Sequence, residues 1–111
     1  MPRRGYSKNV SDSKPVVVAF SGDLDFTVRE KLRAGLAELA GANLAIVDLS
    51  EVEYMDSLAL SELVLLHRAC EKAGRPAPRI VVGQKIARLY EISGLSVILP
   101  PYRSVAEALA D

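Results

Sequence analysis

Ala45-Ile-Val-Asp-Leu-Ser-Glu-Val-Glu-Tyr-Met-Asp-Ser57, followed at once by Leu58-Ala-Leu-Ser-Glu-Leu-Val-Leu-Leu-His67, is the stretch whose reading decides the fold of this chain. Leu44–Leu49 has strand length and reads as a buried strand. Ser50–Ser57 reads as an acidic loop that delivers Asp56-Ser57 to the start of a strongly apolar helix. In that helix Leu60, Leu63, Val64, His67 and Cys70 recur at three- and four-residue spacing, with Leu66 widening the stripe, and the helix should end near Ala73-Gly74. A serine at such a helix start can cap the free backbone N–H groups or carry a phosphate, and the two fates define a structural element and a switch.

Working outward toward the N-terminus, Gly41 is the stop of a preceding helix that buries Leu32, Leu36 and Leu39. Thr27-Val-Arg-Glu30 has capping-box spacing, which predicts Thr27 as the cap of that helix. Gly22-Asp-Leu-Asp25 is read as a turn, and Val16–Ser21 as a strand, a continuous Val-rich run of the kind buried on both faces of a sheet. Residues 1–14 form a polar leader, with a weak edge strand near Tyr6–Val10 hairpinned through Ser11–Pro15. Toward the C-terminus come a strand at Arg79–Val82, a helix over Gln84–Ser93 and Gly94 in a left-handed C-terminal position. A short strand is expected at Val97–Leu99, and Ser104-Val-Ala-Glu107 is a second capping box opening a final helix.

Strands thus alternate with helices, which predicts an α/β domain of parallel strands with right-handed crossovers. The loops Gly22–Asp25, Ser50–Ser57 and Gly83–Gln84 should gather on one edge of the sheet. At 111 residues the chain is one domain. Acids and bases balance at 14 each, so no general nucleic-acid binder is indicated. No apolar run reaches the roughly 20 residues of a membrane span, so no membrane insertion is expected. The single cysteine, Cys70, fits a reducing, cytoplasmic setting, and with one histidine gives little basis for a zinc site.

The carboxylates Asp23, Asp25, Asp48, Glu51, Glu53 and Asp56 crowd the expected edge. Solvated loop acids with Asp25 and Asp56 as helix caps are one account; a Mg²⁺ site of receiver type is another. The second lacks an acidic pair after the first strand and a closing Lys-Pro, and Asp48 is followed by one more strand residue. His67 has no nucleophile spaced with it, Cys70 reads as a small core residue, and no Gly-rich nucleotide loop is present. The sequence shows no enzyme, no catalytic residue and no cofactor site.

Val16-Val-Val-Ala-Phe-Ser-Gly-Asp-Leu-Asp25, Val47–Ser57 and Ile92-Ser-Gly-Leu95, in this order, resemble the sulfate-transporter and anti-sigma-factor-antagonist (STAS) domain over about residues 15–110. The resemblance is to the single-domain bacterial anti-sigma factor antagonists. It implies an α/β, STAS-like single domain over 15–111 with a mixed four- to five-stranded sheet, the leader adding a peripheral strand, and about four helices. It further implies that Ser57 is phosphorylated by an anti-sigma factor with kinase activity, and that the unphosphorylated form binds that partner in transcription regulation. Partner binding would use Gly22, Asp23, Asp25, Asp56, Ser57, Leu58 and Ser61, and a weak homodimer is a further expectation. The alternative is a constitutive accessory subunit of a membrane transporter such as a lipid ABC system. After the serine the chain departs from the family's usual Ser-Gly or Ala-Gly. Ala59 would add a β-carbon where a partner backbone approaches, and Leu58 sets an apolar side chain beside the acceptor.

Overall fold

The computed structural model describes residues 14–39 and 41–111. Three strands, β1 (Pro15–Leu24), β2 (Leu44–Met55) and β3 (Arg79–Val82), form a parallel sheet in the order β1-β2-β3. The helices are α1 (Arg29–Ala37), α2 (Ser57–Lys72), α3 (Gln84–Ile92), α4 (Leu95–Ile98) and α5 (Val105–Ala110), with a 3-10 turn at Phe26–Val28. Parallel neighbours require crossovers, and α1 and α2 supply them. The main core lies on one face of the sheet. There Val47, Leu49, Val52 and Met55 of β2 meet Leu32 and Leu36 of α1, Leu63 and Leu66 of α2, and Ile86 and Tyr90 of α3. On the other face α5 lays Ala108 over Ile46 and Val81, with Leu44, Tyr102 and Val105 around them.

The long strands correct two expectations. Both the turn read at Gly22–Asp25 and the loop read at Ser50–Ser57 are largely strand, because β1 runs on to Leu24 and β2 to Met55. Ten residues of β1 face twelve of β2, so β2 carries two extra residues, and the register shifts twice, between Ala19 and Ser21 and between Gly22 and Asp23. Near the first shift the Asp48 carboxylate accepts the Ser50 N–H at 2.9 Å, a short-range bond that substitutes for a ladder bond. At the second, Gly22 takes φ 74°, a left-handed conformation open to glycine at little cost. Inward-facing residues of β2 therefore fall at Ala45, Val47 and Leu49, then Val52, then Met55.

β1 is also not buried on both faces. Its burial alternates strictly, Val16, Val18 and Phe20 packing on the core while Val17, Ala19, Ser21 and Asp23 are exposed, as expected of a strand covered on one side. Asp25, not Thr27, opens the turn into α1: its carboxylate accepts the Thr27 N–H at 2.9 Å, and α1 itself begins without a side-chain cap. α1 ends at Ala37, four residues before the Gly41 expected to stop it.

The strand expected at Val97–Leu99 is replaced by α4, whose Leu95 is buried. The sheet instead receives Tyr102 as a single pair with Val81, through Tyr102 N–H to Ile80 O at 2.9 Å and Val82 N–H to Tyr102 O at 2.9 Å. Pro100 and Pro101 precede Tyr102, so neither backbone position could have donated to a longer ladder. The described sheet is thus three-stranded and parallel; the leader strand that would make it mixed falls on residues 1–13, outside the described residues. Two local expectations hold. Gly94 adopts φ 83°, and Ser104 caps α5 by accepting the Glu107 N–H at 3.0 Å while Glu107 reaches back to the Arg103 N–H at 3.0 Å.

Candidate functional site

The ends of β1 and β2 are stitched together before the chain enters α2. Leu24 pairs with Met55, and the Leu24 carbonyl accepts the Asp56 N–H at 3.0 Å. Asp56 stays extended (φ −90°, ψ 178°) and its carboxylate accepts the Ala59 N–H at 3.0 Å, so Asp56 is the cap of α2. Ser57, at the first helical position, is exposed, and its hydroxyl has no hydrogen-bond partner among the described residues. The two carboxylates that sequence reading assigned to capping, Asp25 and Asp56, both cap.

One turn on, Ser61 is exposed and its hydroxyl donates to the Leu58 carbonyl at 2.8 Å. Leu58 is half-buried. Ala59 is 2% exposed and belongs to the main core. Its methyl group therefore points inward, which corrects the expectation that it would stand against an approaching partner. Gly22 and Asp23 sit inside paired strand, opposite Val52 and Tyr54, and not in a loop wall; Asp23 is exposed. Asp25 lies just beyond Leu24, where the hydroxyl and backbone N–H of Thr27 hold its carboxyl below the ordinary range.

Among the described residues no group of three or more His, Cys, Asp or Glu side chains is placed to share a metal ion. Glu53 instead pairs with Lys85 at 3.5 Å, and Asp48 is engaged by Ser50. His67 is half-buried, with a buried Nδ1 that finds no partner among the described residues. Cys70 is buried, and burial pushes its thiol up, with Arg75 opposing the shift.

Several surface features escaped the sequence reading. Ser57, Leu60, Ser61 and Val64 form one wall of a groove of about 220 Å³ whose other wall is Ser93, Gly94, Leu95 and Ile98. Near its rim Ile92 and Val97 are 73% and 84% exposed. Phe26, 72% exposed, and the exposed Tyr54 stand at the ends of the same two strands that hold Asp56. Apolar side chains thus line the groove beside the serine, and others stand exposed at the ends of β1 and β2. Phe26 could have been found as an aromatic directly after a capping Asp; Ile92 and Val97 carry no signal until α4 is recognised as a helix. No helix among the described residues is long and apolar enough to cross a membrane.

Fold and site together define a small α/β module that offers a capped helix start, with an exposed serine, from the carboxyl edge of a parallel sheet. The family model described as "Mlab, STAS domain" matches residues 8–100. The chain belongs to the STAS domain family. Its fold is similar to that of an anti-sigma factor antagonist from Mycobacterium paratuberculosis, at 22% identity and a TM-score of 0.67, covering 93% of this chain and 87% of that one. It is similar also to a sulfate transporter family protein from Wolinella succinogenes, at 17% identity and a TM-score of 0.68, covering 86% and 82%. A third similar structure is the Bacillus cell fate determinant SpoIIAA in its phosphorylated form, at 18% identity and a TM-score of 0.60, covering 92% and 94%. A comparison with curated protein sequences returned no match.

Proposed function

We propose that this chain is an anti-sigma factor antagonist, a non-enzymatic binding module whose partner is an anti-sigma factor with kinase activity and whose switch is phosphorylation of Ser57. The observation that carries this is the division of labour at the helix start. Asp56 already satisfies the Ala59 N–H, and the Ser57 hydroxyl is exposed and has no hydrogen bond to lose among the described residues. A phosphate there adds a charge of about −1.5 to −2. The helix N-terminus tolerates that charge, while the neighbouring Asp56, Asp25 and Asp23 make the modified surface more strongly anionic. The partner rests on the apolar groove beside Ser57 and on Phe26 and Tyr54; Leu58 and Ser61 extend the contact, and Gly22 gives the end of β1 its path. A partner fitted to a neutral hydroxyl loses that fit with no internal rearrangement of the domain. The fold similarity to SpoIIAA in its phosphorylated form and to an anti-sigma factor antagonist supports the reading.

The tagged protein is recovered from its native cells, and bait and prey are analysed by intact-mass and peptide mass spectrometry. The expected result is a kinase-like anti-sigma partner with bait phosphorylated at Ser57. Binding of that partner equally by Ser57→Ala and Ser57→Asp would refute the switch. A second reading, a constitutive accessory subunit of a membrane transporter, draws on Leu58 beside the serine and on the fold similarity to a sulfate transporter family protein. Transporter subunits recovered with unmodified bait would establish it.

A further inference from the structure

Glu62 puts a carboxylate among the buried positions of α2. It is 7% exposed, and its Oε2 accepts the Arg33 Nε–H at 3.0 Å. Its Oε1 has no hydrogen-bond partner among the described residues. Within that set the His67 Nδ1 is the one side-chain polar atom both sealed from solvent and left without a partner, so the Glu62 Oε1 is reached by solvent. Glu62 lines a groove of about 200 Å³ between α1 and α2, with Leu36, Leu65, Leu66 and Ala69 among its apolar walls. Leu65 is 51% exposed there.

We propose that this groove is an interaction site for a partner protein, and that its occupant is one arginine side chain of that partner. The carboxylate sets the charge of the occupant. It offers about four lone-pair sites, and the Arg33 Nε–H fills one of them. The Arg33 side chain is 46% exposed, so water screens its charge, while the charge of Glu62 lies among apolar side chains where it is felt more strongly. One carboxylate held between two guanidinium groups is an arrangement that buried sites adopt. The groove sets the shape. It is smaller than the roughly 300–1,000 Å³ of small-molecule pockets and suits a single long side chain. The methylenes of an arginine lie along Leu36, Leu65 and Leu66 while its head meets Oε1. A guanidinium sheds water more readily than an ammonium, which favours arginine over lysine.

Helical spacing sets this contact apart from the serine groove. Glu62, Leu65, Leu66 and Ala69 fall on one flank of α2, and Ser57, Leu60, Ser61 and Val64 on the other. Charge added at Ser57 therefore leaves the arginine contact in place. The domain offers one surface that modification can close and a second that it cannot, so a protein held at Glu62 stays attached in both states. This site goes beyond the proposed function and does not depend on it.

The test is a titration of the full chain, followed by two-dimensional amide NMR, with the peptide acetyl-Ala-Arg-Ala-amide. A second peptide carries citrulline, the uncharged isostere, in place of arginine. The arginine peptide is expected to give saturable shifts at Leu36, Glu62, Leu65 and Ala69, with a dissociation constant of about 1–10 mM. The citrulline peptide should bind at least about tenfold more weakly. Glu62→Gln should bring the arginine peptide down to the citrulline level, and Leu65→Ser, which keeps the carboxylate, should weaken it about threefold. Ser57→Asp should leave its affinity within about twofold of wild type. Far-UV circular dichroism checks the folding of each variant, and if Glu62→Gln does not fold, the two peptides on the wild type decide. Equal binding of the two peptides overturns the proposal, as does a folded Glu62→Gln that binds like wild type. So do shifts confined to the exposed acids Asp23, Glu51 and Glu53, or no saturation by about 50 mM. None of these readings involves an anti-sigma factor, so loss of this site leaves the Ser57 switch standing, and loss of the switch leaves this site standing.

Discussion

Tyr90 is the largest of the fully buried side chains, 1% exposed, and its hydroxyl donates to the Leu99 carbonyl at 2.7 Å. This one bond ties α3 to the segment after α4, beneath the groove that flanks Ser57. Tyr90→Phe keeps the ring and removes only the donor. The lost bond and the carbonyl left without it should together cost about 1.5–2 kcal/mol. With a urea slope of about 1–3 kcal/mol/M for a domain of this size, the midpoint should fall by about 1 M with the slope unchanged. A fall of less than about 0.5 kcal/mol would mean that water replaces the phenol and that the segment is not held from within.

The pH dependence provides an independent reading of the same group. Burial pushes the Tyr90 phenol well above its ordinary value of 10.0. Above pH 10 the unfolded chain releases this proton while the folded chain keeps it. The folded state then binds more protons, so stability is fully present below pH 10 and declines as pH rises, by up to about 1.4 kcal/mol per unit from this group. Tyr102 is also raised, chiefly by its hydrogen bond to Asp111, but it is present in both proteins and cancels from the comparison. The wild type should therefore lose stability more steeply than Tyr90→Phe between pH 10 and 11, measured by urea titration at each pH. Parallel curves would refute the assignment of that slope to Tyr90.

A β-carbon at Gly83 would stand 2.5 Å from the Ser50 carbonyl oxygen; because the atom it meets is backbone and cannot turn aside, Gly83→Ala should cost about 2–3 kcal/mol in urea unfolding. Glu62 is 7% exposed and meets Arg33 at 3.0 Å. Arg33→Met leaves a buried carboxylate unpaired, whereas Glu62→Met leaves a half-exposed guanidinium, so the first should destabilise by about 1–2 kcal/mol more than the second. Asp56→Ala removes the cap of α2 and should cost about 1 kcal/mol, with Asp56→Asn close to wild type, both read by thermal melting.

Much of this architecture is legible in the sequence, and what is not fails for specific reasons. The helix from Ser57 declares itself because Leu63, Leu66 and Cys70 repeat on one face. The end of β2 carries no strand signal, because Leu49, Val52 and Met55 are three apart, a spacing that two register shifts impose and that strand alternation excludes. Val97-Ile-Leu99 has strand composition, but the left-handed Gly94 and the buried Leu95 start a helical turn instead, a case of tertiary packing overriding propensity. Val16–Ser21 looked doubly buried because valines fill both of its faces, and no local rule tells an exposed valine from a covered one. Of the candidate site residues, Asp25, Asp56, Ser57, Leu58 and Ser61 do gather where β1 ends and α2 begins. Gly22 and Asp23 lie further back, within the paired strands. The burial of Glu62 has a signal in its spacing, three residues after Ala59 and four before Leu66, both core residues, but its charge argues against it.

The two irregular points in β2 bear on how this chain can vary in length. In ordinary paired strand, losing one residue turns every later side chain to the opposite face, and here that would swing Met55 out and reorient the whole presentation of Ser57. At a bulge the surplus residue has no opposite number, so its loss restores plain pairing and leaves the downstream faces as they were. Glu53 occupies such a place, skipped between Val52 opposite Gly22 and Tyr54 opposite Asp23. The arm leading to the serine thus contains its own joints: a chain one residue shorter at these points can still present the helix start from the same face, while a loss anywhere between them cannot.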